Sequence, residues 1–430
     1  MKRLKKLSCA FIISCAAALS PLAVFAAENE QLDYLALGDS LAAGQTPNNA
    51  IDKSYADYLA SQLNKVGMLS SFDKRFAVSG YTTTDILADI ETNKSVTDSS
   101  GNTADIQTAI ANAEIITLDA GANDVLKQIK FDKETMKVTI DPVKVNSTIF
   151  TIGVNTSTIL AKIKTLNPNA DVYVMGYFNP FSILPAEYQT QFQLLLNSLN
   201  QTIENSAKLN GAAFVPTAAA FAKNTAAYMP NPLDVHPNQD GYLALANAFW
   251  KNLDINKATG FNDIANTTGK AAIEKLAGKG IISGYANGQF SPNDSITRAQ
   301  SAIMLNRAIV YSDTPAPNPN YADVNESSFA YDVIVKMTEA GVFAGSNNHF
   351  NPSQQLTRAQ MARVLVEAFA LTGTTARTFN DVASDHWAKE YISILAENGI
   401  TVGYNDGGFK PNKSISRAEF SIMLAKALEK

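Results

Sequence analysis

The chain has 430 residues, of which 35 are Lys or Arg and 40 are Asp or Glu, so its formal net charge is −5. This length predicts about two to four domains, and a hydrophobic content of 46% is enough to form packed cores. The acidic balance argues against a general nucleic-acid binder or a binder of anionic membranes, because those surfaces attract basic proteins.

The first residues of the chain form the pattern of an export signal. Four cationic residues precede an apolar run over 7–25, and Ala26 ends a small-residue cleavage pattern. We therefore expect a signal peptide over 1–26, whose removal changes the formal charge from −5 to −9. Both cysteines, Cys9 and Cys15, lie in it, so the mature chain is expected to lack disulfides and thiolate metal sites. No later segment has the pattern of a membrane span.

Residues 30–255 alternate short apolar runs with amphipathic stretches. This alternation predicts one α/β domain, a parallel sheet with helices on both faces in a five-stranded flavodoxin-like layout. Alternating residues over 130–143 predict a hairpin or an irregular insertion near the active edge. The predicted strands are 32–37, 74–78, 114–118, 170–176 and 212–216. The predicted helices are 53–66, 82–90, 103–112, 145–165, 186–208 and 238–252.

Four short blocks of this domain carry chemistry. The first strand ends in Gly38-Asp39-Ser40-Leu41, at the edge of a parallel sheet where ligands bind. The other blocks follow in the order Ser79-Gly80, Gly121-Ala122-Asn123-Asp124 and Asp234-Val235-His236-Pro237. A serine nucleophile needs a base, and His236 is the one histidine between residues 28 and 257.

Together, these blocks resemble the GDSL, or SGNH, hydrolases. The resemblance implies that Ser40 is the nucleophile and His236 the base. It also implies that the oxyanion is held by the backbone N–H groups of Ser40 and Gly80 and by the side-chain amide of Asn123. Such a reaction requires fixed hydrogen-bond donors of this kind. We assign Asp124 to local structure. No metal-ligand spacing, phosphate loop or dinucleotide fingerprint accompanies the blocks, so we expect no metal and no cofactor.

The acid that orients His236 departs from the family pattern. That pattern has an aspartate three residues before the histidine, where this chain has Leu233, while Asp234 lies two residues before it. We predict that Asp234 orients the imidazole. In the alternative, a backbone carbonyl does so and Asp234 is a solvated loop charge. The stretch 176–181 leaves a predicted strand at the active edge and either lines an acyl pocket or belongs to the core.

From residue 261 onward the chain repeats with a period of about 60 residues. Each copy opens with an aspartate and a first helix, followed by a Phe eight residues before an Arg at the start of a second helix. Thr297, Thr357 and Ser416 are predicted to cap the second helices. An arginine in the first turn opposes the helix dipole, so it needs a bound anion or a buried partner.

These units resemble S-layer homology domains, over 261–311, 321–371 and 379–430. The resemblance implies a mainly α-helical, pseudo-threefold trio that binds a secondary cell-wall polysaccharide carrying pyruvate ketals, in grooves between repeats. A guanidinium suits a ketal carboxylate; the alternative is that the arginines hold loops together within the repeats. The predicted polysaccharide-binding residues are Asp263, Arg298, Asp323, Arg358, Asp381, Trp387 and Arg417.

The three copies are not equivalent. Tyr285 and Tyr404 follow a glycine in the first and third repeats, whereas the second repeat has Ser346 there. Trp387 corresponds to Phe329 in the second repeat and to no aromatic residue in the first, so we expect the first-repeat site to be weakened. The join at 255–260 is short, and we expect the enzyme and the repeats to lie close together.

The resemblances imply an exported serine ester hydrolase of the lipase or lysophospholipase-like type, held at the cell wall or S-layer of a Gram-positive-type bacterium. Its expected substrate is a lipid or short-chain acyl ester. One alternative is an esterase that removes O-acetyl groups from wall polysaccharide. Another is a non-catalytic protein of the S-layer, structural or polysaccharide-binding.

Overall fold

The computed structural model describes residues 31–132, 137–181, 186–231, 234–255, 260–285, 287–373 and 377–430. The predicted signal peptide and Leu233 lie outside the described residues.

The first part of the described chain is built on a parallel five-stranded sheet, in the spatial order β2-β1-β5-β8-β9, which confirms the predicted α/β class. Two antiparallel hairpins, β3–β4 and β6–β7, extend from it. The second of these is the predicted hairpin. The strands are β1 (Leu32–Gly38), β2 (Leu69–Asp73), β3 (Ser95–Thr97), β4 (Thr103–Asp105), β5 (Ile115–Asp119), β6 (Ile129–Asp132), β7 (Lys137–Ile140), β8 (Asp171–Met175) and β9 (Ala213–Val215).

One predicted strand is displaced along the chain. The second strand, expected over 74–78, lies at Leu69–Asp73. It is an edge strand with partly exposed side chains, so its apolar pattern is weak. Residues 74–78 instead lead toward the active edge, where Ala77 forms an isolated bridge with Gly38.

Helices cover both faces of this sheet and begin near the predicted positions. The long helices α6 and α7 pack against each other, and α2 packs against α10. The helices are α1 (Ser40–Ala43), α2 (Tyr55–Lys65), α3 (Thr83–Glu91), α4 (Ile106–Asn112), α5 (Ala122–Leu126), α6 (Pro142–Leu166), α7 (Ala186–Leu209), α8 (Ala218–Ala222), α9 (Thr225–Tyr228) and α10 (Gln239–Asn252).

Each C-terminal repeat consists of two helices, as predicted. The second helix of each repeat begins with a capping box, in which Thr297, Thr357 or Ser416 exchanges hydrogen bonds with the residue three positions later. The helices are α11 (Lys270–Gly278), α12 (Arg298–Ala308), α13 (Tyr331–Glu339), α14 (Arg358–Phe369), α15 (Lys389–Glu397) and α16 (Arg417–Leu428).

The three repeats close into a ring around Ile296, Leu356 and Ile415. The N–H of Leu356 donates to the carbonyl of Ile296, that of Ile415 to Leu356, and that of Ile296 to Ile415, at 2.9, 2.9 and 3.1 Å. All three side chains are fully buried. The trio is therefore a single pseudo-threefold unit.

The first repeat packs directly against the sheet domain. The indole Nε1 of Trp250, near the end of α10, donates to the carbonyl of Ala308 at 3.1 Å. In return, Lys279 Nζ donates to the carbonyls of Trp250 and Lys251 at 3.0 and 3.1 Å. Because Trp250 and Lys279 are both buried, this contact fixes the orientation of the two units relative to each other.

Candidate active site

Ser40 lies where β1 turns into the short helix α1. Asp39 caps this helix, and its Oδ1 accepts the N–H of Leu41 at 2.9 Å. Ser40 is 6% exposed. The sharp change from strand to helix places its hydroxyl at the carboxyl edge of the sheet, as the sequence predicts.

His236 reaches Ser40 from the loop before α10. Its Nε2 lies 2.8 Å from Ser40 Oγ, and its Nδ1 lies 2.6 Å from Asp234 Oδ1. The same Asp234 oxygen accepts the backbone N–H of His236 at 2.8 Å. This tight turn explains how an aspartate only two residues before the histidine reaches the imidazole.

The loop that carries His236 is held by Asn238, which was not among the predicted residues. The side chain of Asn238 caps α10 by accepting the N–H of Gly241 at 3.0 Å, and its backbone N–H donates to Tyr228 O at 2.9 Å. An Asn before a helical pattern is a detectable cap signal. Asn238 therefore sets the start of α10 and, through Pro237, the position of the imidazole.

Asn123 and Gly80, the other predicted oxyanion donors, lie on adjoining loops. The Nδ2 of Asn123 donates to the carbonyl of Tyr81 at 2.9 Å, directly after Gly80. Gly80 has a φ of 84°, which favours glycine. Asp124 serves local structure, since its carboxylate accepts the N–H and the hydroxyl of Thr83 at 2.9 and 2.6 Å.

An apolar pocket of about 90 Å³ opens beside the Ser40 hydroxyl. Ser40, Asn123 and His236 line it, together with a larger number of aliphatic and aromatic side chains. The stretch 176–181 contributes both to this pocket and to the core, because Tyr177 and Phe178 line it while being 5% exposed. Other apolar lining residues are Leu126, Ile129, Phe181, Phe192, Leu195, Leu196 and Leu199.

A buried polar network beneath Ser40 was not found from the sequence. Asp119, at the end of β5, accepts the backbone N–H of Asp39 at 3.1 Å and the hydroxyl of Tyr55 at 2.6 Å. The hydroxyl of Tyr177 donates to Asp39 Oδ2 at 3.2 Å. The one signal for this network in the sequence is that an aspartate ends a short strand whose other residues are mostly apolar.

In the repeats, each first-turn arginine is buried and reaches into another repeat. The Nε of Arg298 donates to Phe350 O at 2.8 Å, that of Arg358 to Phe409 O at 2.7 Å, and that of Arg417 to Phe290 O at 2.8 Å. Each guanidinium also lies over the ring of the same phenylalanine, at 4.7, 4.7 and 4.4 Å from its centroid. These buried partners explain the arginines' place in the first turn.

The predicted aspartates lie at the same joints. Asp263 accepts the N–H groups of Phe290 and Ser291, at 2.8 and 2.7 Å. Asp323 and Asp381 make the equivalent contacts in their own repeats. Each carboxylate thus orients the Phe carbonyl that an arginine of another repeat binds. Contact of these residues with polysaccharide stays a prediction.

The tyrosine of the Gly-Tyr pair covers the arginine in two of the three joints. Tyr404 lies 4.6 Å from the Arg358 guanidinium, and its hydroxyl donates to Glu419 at 2.6 Å. Tyr285 lies 5.0 Å from the guanidinium of Arg417. The second repeat has no tyrosine at this position; Arg298 instead lies 5.5 Å from the centroid of the Phe343 ring and lines a groove.

This groove has a volume of about 220 Å³ and is lined by residues of all three repeats. Arg298, Ser346, Arg363 and Trp387 line it together, so two of the predicted binding residues meet there. The Nε of Arg363 is buried and has no hydrogen-bond partner among the described residues. Trp387 is 56% exposed.

Among the helices that the structure describes, none has the length and apolar character of a membrane span.

The chain is similar to known families in both parts. Residues 36–244 match the GDSL-like Lipase/Acylhydrolase family. Residues 260–302, 320–362 and 378–421 match the S-layer homology domain.

Curated relatives share only part of their length with this chain. The Surface-layer 125 kDa protein of Lysinibacillus sphaericus is 34% identical over 182 residues, which are 41% of this chain and 15% of that protein. The S-layer protein sap of Bacillus anthracis is 34% identical over 171 residues, 39% of this chain and 21% of that protein. The Cellulosome-anchoring protein of Acetivibrio thermocellus is 30% identical over 159 residues, 35% and 36% of the two chains.

Solved structures match the sheet domain at low identity. The lipase Lip_vut3 from a goat rumen metagenome is 22% identical, with a TM-score of 0.41 over 51% of this chain and 96% of that one. Axe2, an acetylxylan esterase from Geobacillus stearothermophilus, is 19% identical, with a TM-score of 0.38 over 52% and 94%. The family matches and the site geometry agree: the chain joins a domain of the GDSL-like lipase/acylhydrolase family to three S-layer homology domains of the cell surface.

Proposed function

We propose that this protein is a secreted, cell-wall-anchored serine ester hydrolase that acts through an acyl-enzyme. The observation that carries the proposal is the chain of contacts from Ser40 Oγ to His236 Nε2 and from His236 Nδ1 to Asp234, at 2.8 and 2.6 Å. In this mechanism Ser40 attacks the ester carbonyl while His236 takes its proton and then donates it to the leaving alcohol. Asp234 stabilises the imidazolium that forms.

The oxyanion is held by the backbone N–H groups of Ser40 and Gly80 and by the Asn123 amide. Neutral, fixed donors stabilise charge that develops only in the transition state. In the second half of the reaction, water attacks the acyl-Ser40 carbonyl, His236 takes the proton of the water, and Ser40 leaves with its hydroxyl restored.

The apolar pocket beside Ser40 favours an acyl chain longer than acetyl. Phe178, Phe181, Phe192, Leu195 and Leu199 line it. Each methylene buried in such a pocket contributes about 0.8 kcal/mol to binding. We therefore place lipid-type acyl esters before O-acetyl groups of wall polysaccharide as the substrate class.

The test of the enzyme is hydrolysis of acetyl and octanoyl esters by the mature protein, by Ser40→Ala and by Ser71→Ala. Ser71 is an exposed serine on β2 and serves as the matched control. We expect turnover by the wild type and the control, and a loss of about 10⁴-fold or more in Ser40→Ala. Activity that survives in Ser40→Ala would overturn the mechanism, and no turnover in the wild type would favour the non-catalytic alternative.

Acyl-chain preference is tested with Leu195→Trp, which fills the pocket, and Leu194→Trp, which adds the same bulk at a neighbouring position that is 64% exposed. We expect Leu195→Trp to lower kcat/KM for the octanoyl ester about tenfold or more, with a smaller effect on the acetyl ester. Leu194→Trp is expected to change neither value. A wild type that prefers acetyl esters and releases acetate from purified wall would favour the polysaccharide esterase instead.

For the anchor, we propose that the groove lined by Arg298, Ser346, Arg363 and Trp387 binds an anionic, pyruvylated cell-wall polysaccharide. Arg298 and Arg363 line the groove and give it positive charge, and the exposed indole of Trp387 offers a flat face for a sugar ring. The other two joints are covered by Tyr285 and Tyr404, so we expect them to bind more weakly.

Cosedimentation with purified wall tests this groove. Ser346→Tyr introduces the tyrosine that covers the other joints, and we expect it and Arg363→Gln each to weaken binding by about tenfold or more. Lys389→Gln, which removes an exposed cation on α15, is the matched control. Binding that is insensitive to Ser346→Tyr would contradict the groove assignment, and binding that survives removal of pyruvate from the wall would contradict the ketal as the ligand.

A further inference from the structure

Asp39 and Asp119 are two buried carboxyl groups beneath Ser40 that take no part in the proton transfers above. Their exposed fractions are 1% and 0%, and the backbone N–H of Asp39 donates to Asp119 Oδ2 at 3.1 Å. Burial of two neighbouring carboxylates is costly when no cationic side chain pairs with them, and none does so among the described contacts, so one of the two carboxyl groups binds a proton. The pair therefore holds one proton and one negative charge.

The neighbouring donors indicate which carboxyl is the anion. Asp119 accepts the backbone N–H groups of Asp39 and Ala42, at 3.1 and 3.4 Å, and the hydroxyl of Tyr55 at 2.6 Å. Asp39 accepts one N–H, from Leu41, and a longer hydrogen bond from a tyrosine hydroxyl. Because more donors stabilise the charged form of Asp119, the proton resides on Asp39.

We propose that protonated Asp39 and anionic Asp119 form a hydrogen-bonded pair that positions Ser40 for attack. The proposal rests on the proposed function, in which Ser40 is the nucleophile. Asp119 binds N–H groups on both sides of Ser40, so it fixes the turn from β1 into α1. This close approach also explains Gly38, since a Cβ there would lie 2.3 Å from Asp119 Oδ1.

The surroundings of the pair keep its single negative charge isolated. Burial and the adjacent Asp119 charge raise the pKa of Asp39 well above its usual value. Burial also raises the pKa of every tyrosine that faces the pair, so these phenols stay neutral. The facing titratable groups are Tyr34 of β1, Tyr55 of α2, Tyr177 after β8, Tyr242 of α10, and Asp234 and His236 of the loop before α10.

The direction of the pH effect follows from the proton on Asp39. While the proton is held, the pair is attractive and Ser40 stays in place. When alkaline pH removes it, two negative charges lie side by side in a buried site, so we expect kcat to fall on the alkaline side. The contribution of Asp39 to folding stability decreases at a lower pH than kcat does. It begins to decrease when the pH rises above the ordinary carboxyl pKa, because Asp39 then loses its proton in the unfolded chain but keeps it in the folded chain.

The matched variants Asp39→Asn and Asp119→Asn test the assignment. The amide of Asp39→Asn replaces the proton as a donor, so we expect its kcat at neutral pH to fall by less than about tenfold and its alkaline decline to disappear. In Asp119→Asn an amide N–H group replaces a carboxylate oxygen that accepts hydrogen bonds from the surrounding N–H and hydroxyl groups. We therefore expect kcat to fall by about 10²-fold with little change in KM. Equal effects of the two variants, or an alkaline decline that persists in Asp39→Asn, would overturn the proposal.

An infrared readout keeps the test independent of activity. We expect the C=O stretch of a protonated carboxylic acid in the wild type at neutral pH and a weaker band in Asp39→Asn. A wild type without such a band overturns the pair even if the variants fail to fold. Labelling of Ser40 by a fluorophosphonate separates the two proposals. If the wild type is neither labelled nor active, the proposed function is rejected. If the wild type is labelled but Asp39→Asn and Asp119→Asn lower kcat equally, only the proposed pair is rejected.

Discussion

The sheet domain and the repeat trio both place buried charged groups at the ends of helices and strands, but they do so in different ways. In the sheet domain the site is assembled once, from Ser40 and His236, which lie 196 residues apart in the chain. In the trio one contact, from an arginine to a Phe carbonyl, occurs at each of the three joints. No other residue can replace a member of the site in the sheet domain. In the trio, the arginine contact is kept at all three joints while the residues next to it differ between the repeats.

The divergence is visible at the grooves. The contacts that recur in every copy, such as Arg417 with Phe290, are joints between repeats. The position that differs among the copies, occupied by Tyr285, Ser346 or Tyr404, decides whether a tyrosine ring covers the neighbouring arginine. In the trio, the residues that recur in every repeat therefore stabilise the fold, and the residues that differ between repeats shape the surface.

Among the substitutions that test this comparison, we expect the largest effect from a change in the Ser40–His236 site of the sheet domain. Asp234→Ala removes the group bound to His236 Nδ1, and we expect kcat to fall by about 10³- to 10⁴-fold, because the imidazole loses its orientation and its stabilising charge. Steady-state kinetics on a soluble ester measures this effect. Asp240→Ala, an exposed acid in the first turn of α10, is the control. A loss below about tenfold would favour a backbone carbonyl as the orienting group.

The repeated joint is tested by Arg417→Met, which opens the contact between the third repeat and the first. Two carbonyls, of Phe290 and Ser283, lose their donor at a buried position. We expect the free energy of unfolding to fall by about 2–4 kcal/mol. Denaturant unfolding of the full chain measures it, with Lys389→Met as the exposed control. An unchanged midpoint would mean that the ring does not depend on this joint.

The contact between the two regions is tested by Lys279→Met. Its ammonium binds two carbonyls at the end of α10, so we expect a loss of about 1–3 kcal/mol in the free energy of unfolding. Burial lowers the pKa of Lys279 to about 8. Between this value and the ordinary 10.5, the unfolded chain binds more protons, so the wild type should gain stability with rising pH relative to the variant. A pH-independent difference between the two proteins would contradict this assignment.

The smallest expected effect belongs to the ion pair of Lys53 with Asp313, which also joins the two regions. The distance is 2.8 Å, but the side chains are 47% and 34% exposed. Solvent screens such a pair, so we expect Lys53→Ala to change the free energy of unfolding by less than about 1 kcal/mol. Thermal unfolding at low and high salt measures it. A larger loss, removed by salt, would show that exposed charges contribute substantially to the contact between the regions.

Local patterns in the sequence determined much of the architecture. Buried parallel strands leave continuous apolar runs, and capped helices leave Ser or Thr before a periodic stretch, so β1, β5, β8 and the repeat helices were predicted near their observed positions. The edge strand β2 was misplaced because only one of its edges pairs and its side chains are partly exposed. The blocks around Ser40, Asn123 and His236 were recognisable because each is contiguous in the chain.

What only the tertiary structure decided are contacts between residues distant in the chain. In the sequence, Asp119 is recognisable only as the last residue of a strand. The structure places it beneath Ser40, which lies 79 positions away in the chain. The sequence left open whether the arginines bind a ligand or hold loops together, and the structure shows that each donates to a carbonyl of another repeat. A sequence pattern reports which face of an element is apolar, but burial and through-space partners are set by how the elements pack. Those partners determine whether a buried charged group is hydrogen-bonded, as Arg417 is, or has a nitrogen without a hydrogen-bond partner among the described residues, as Arg363 does.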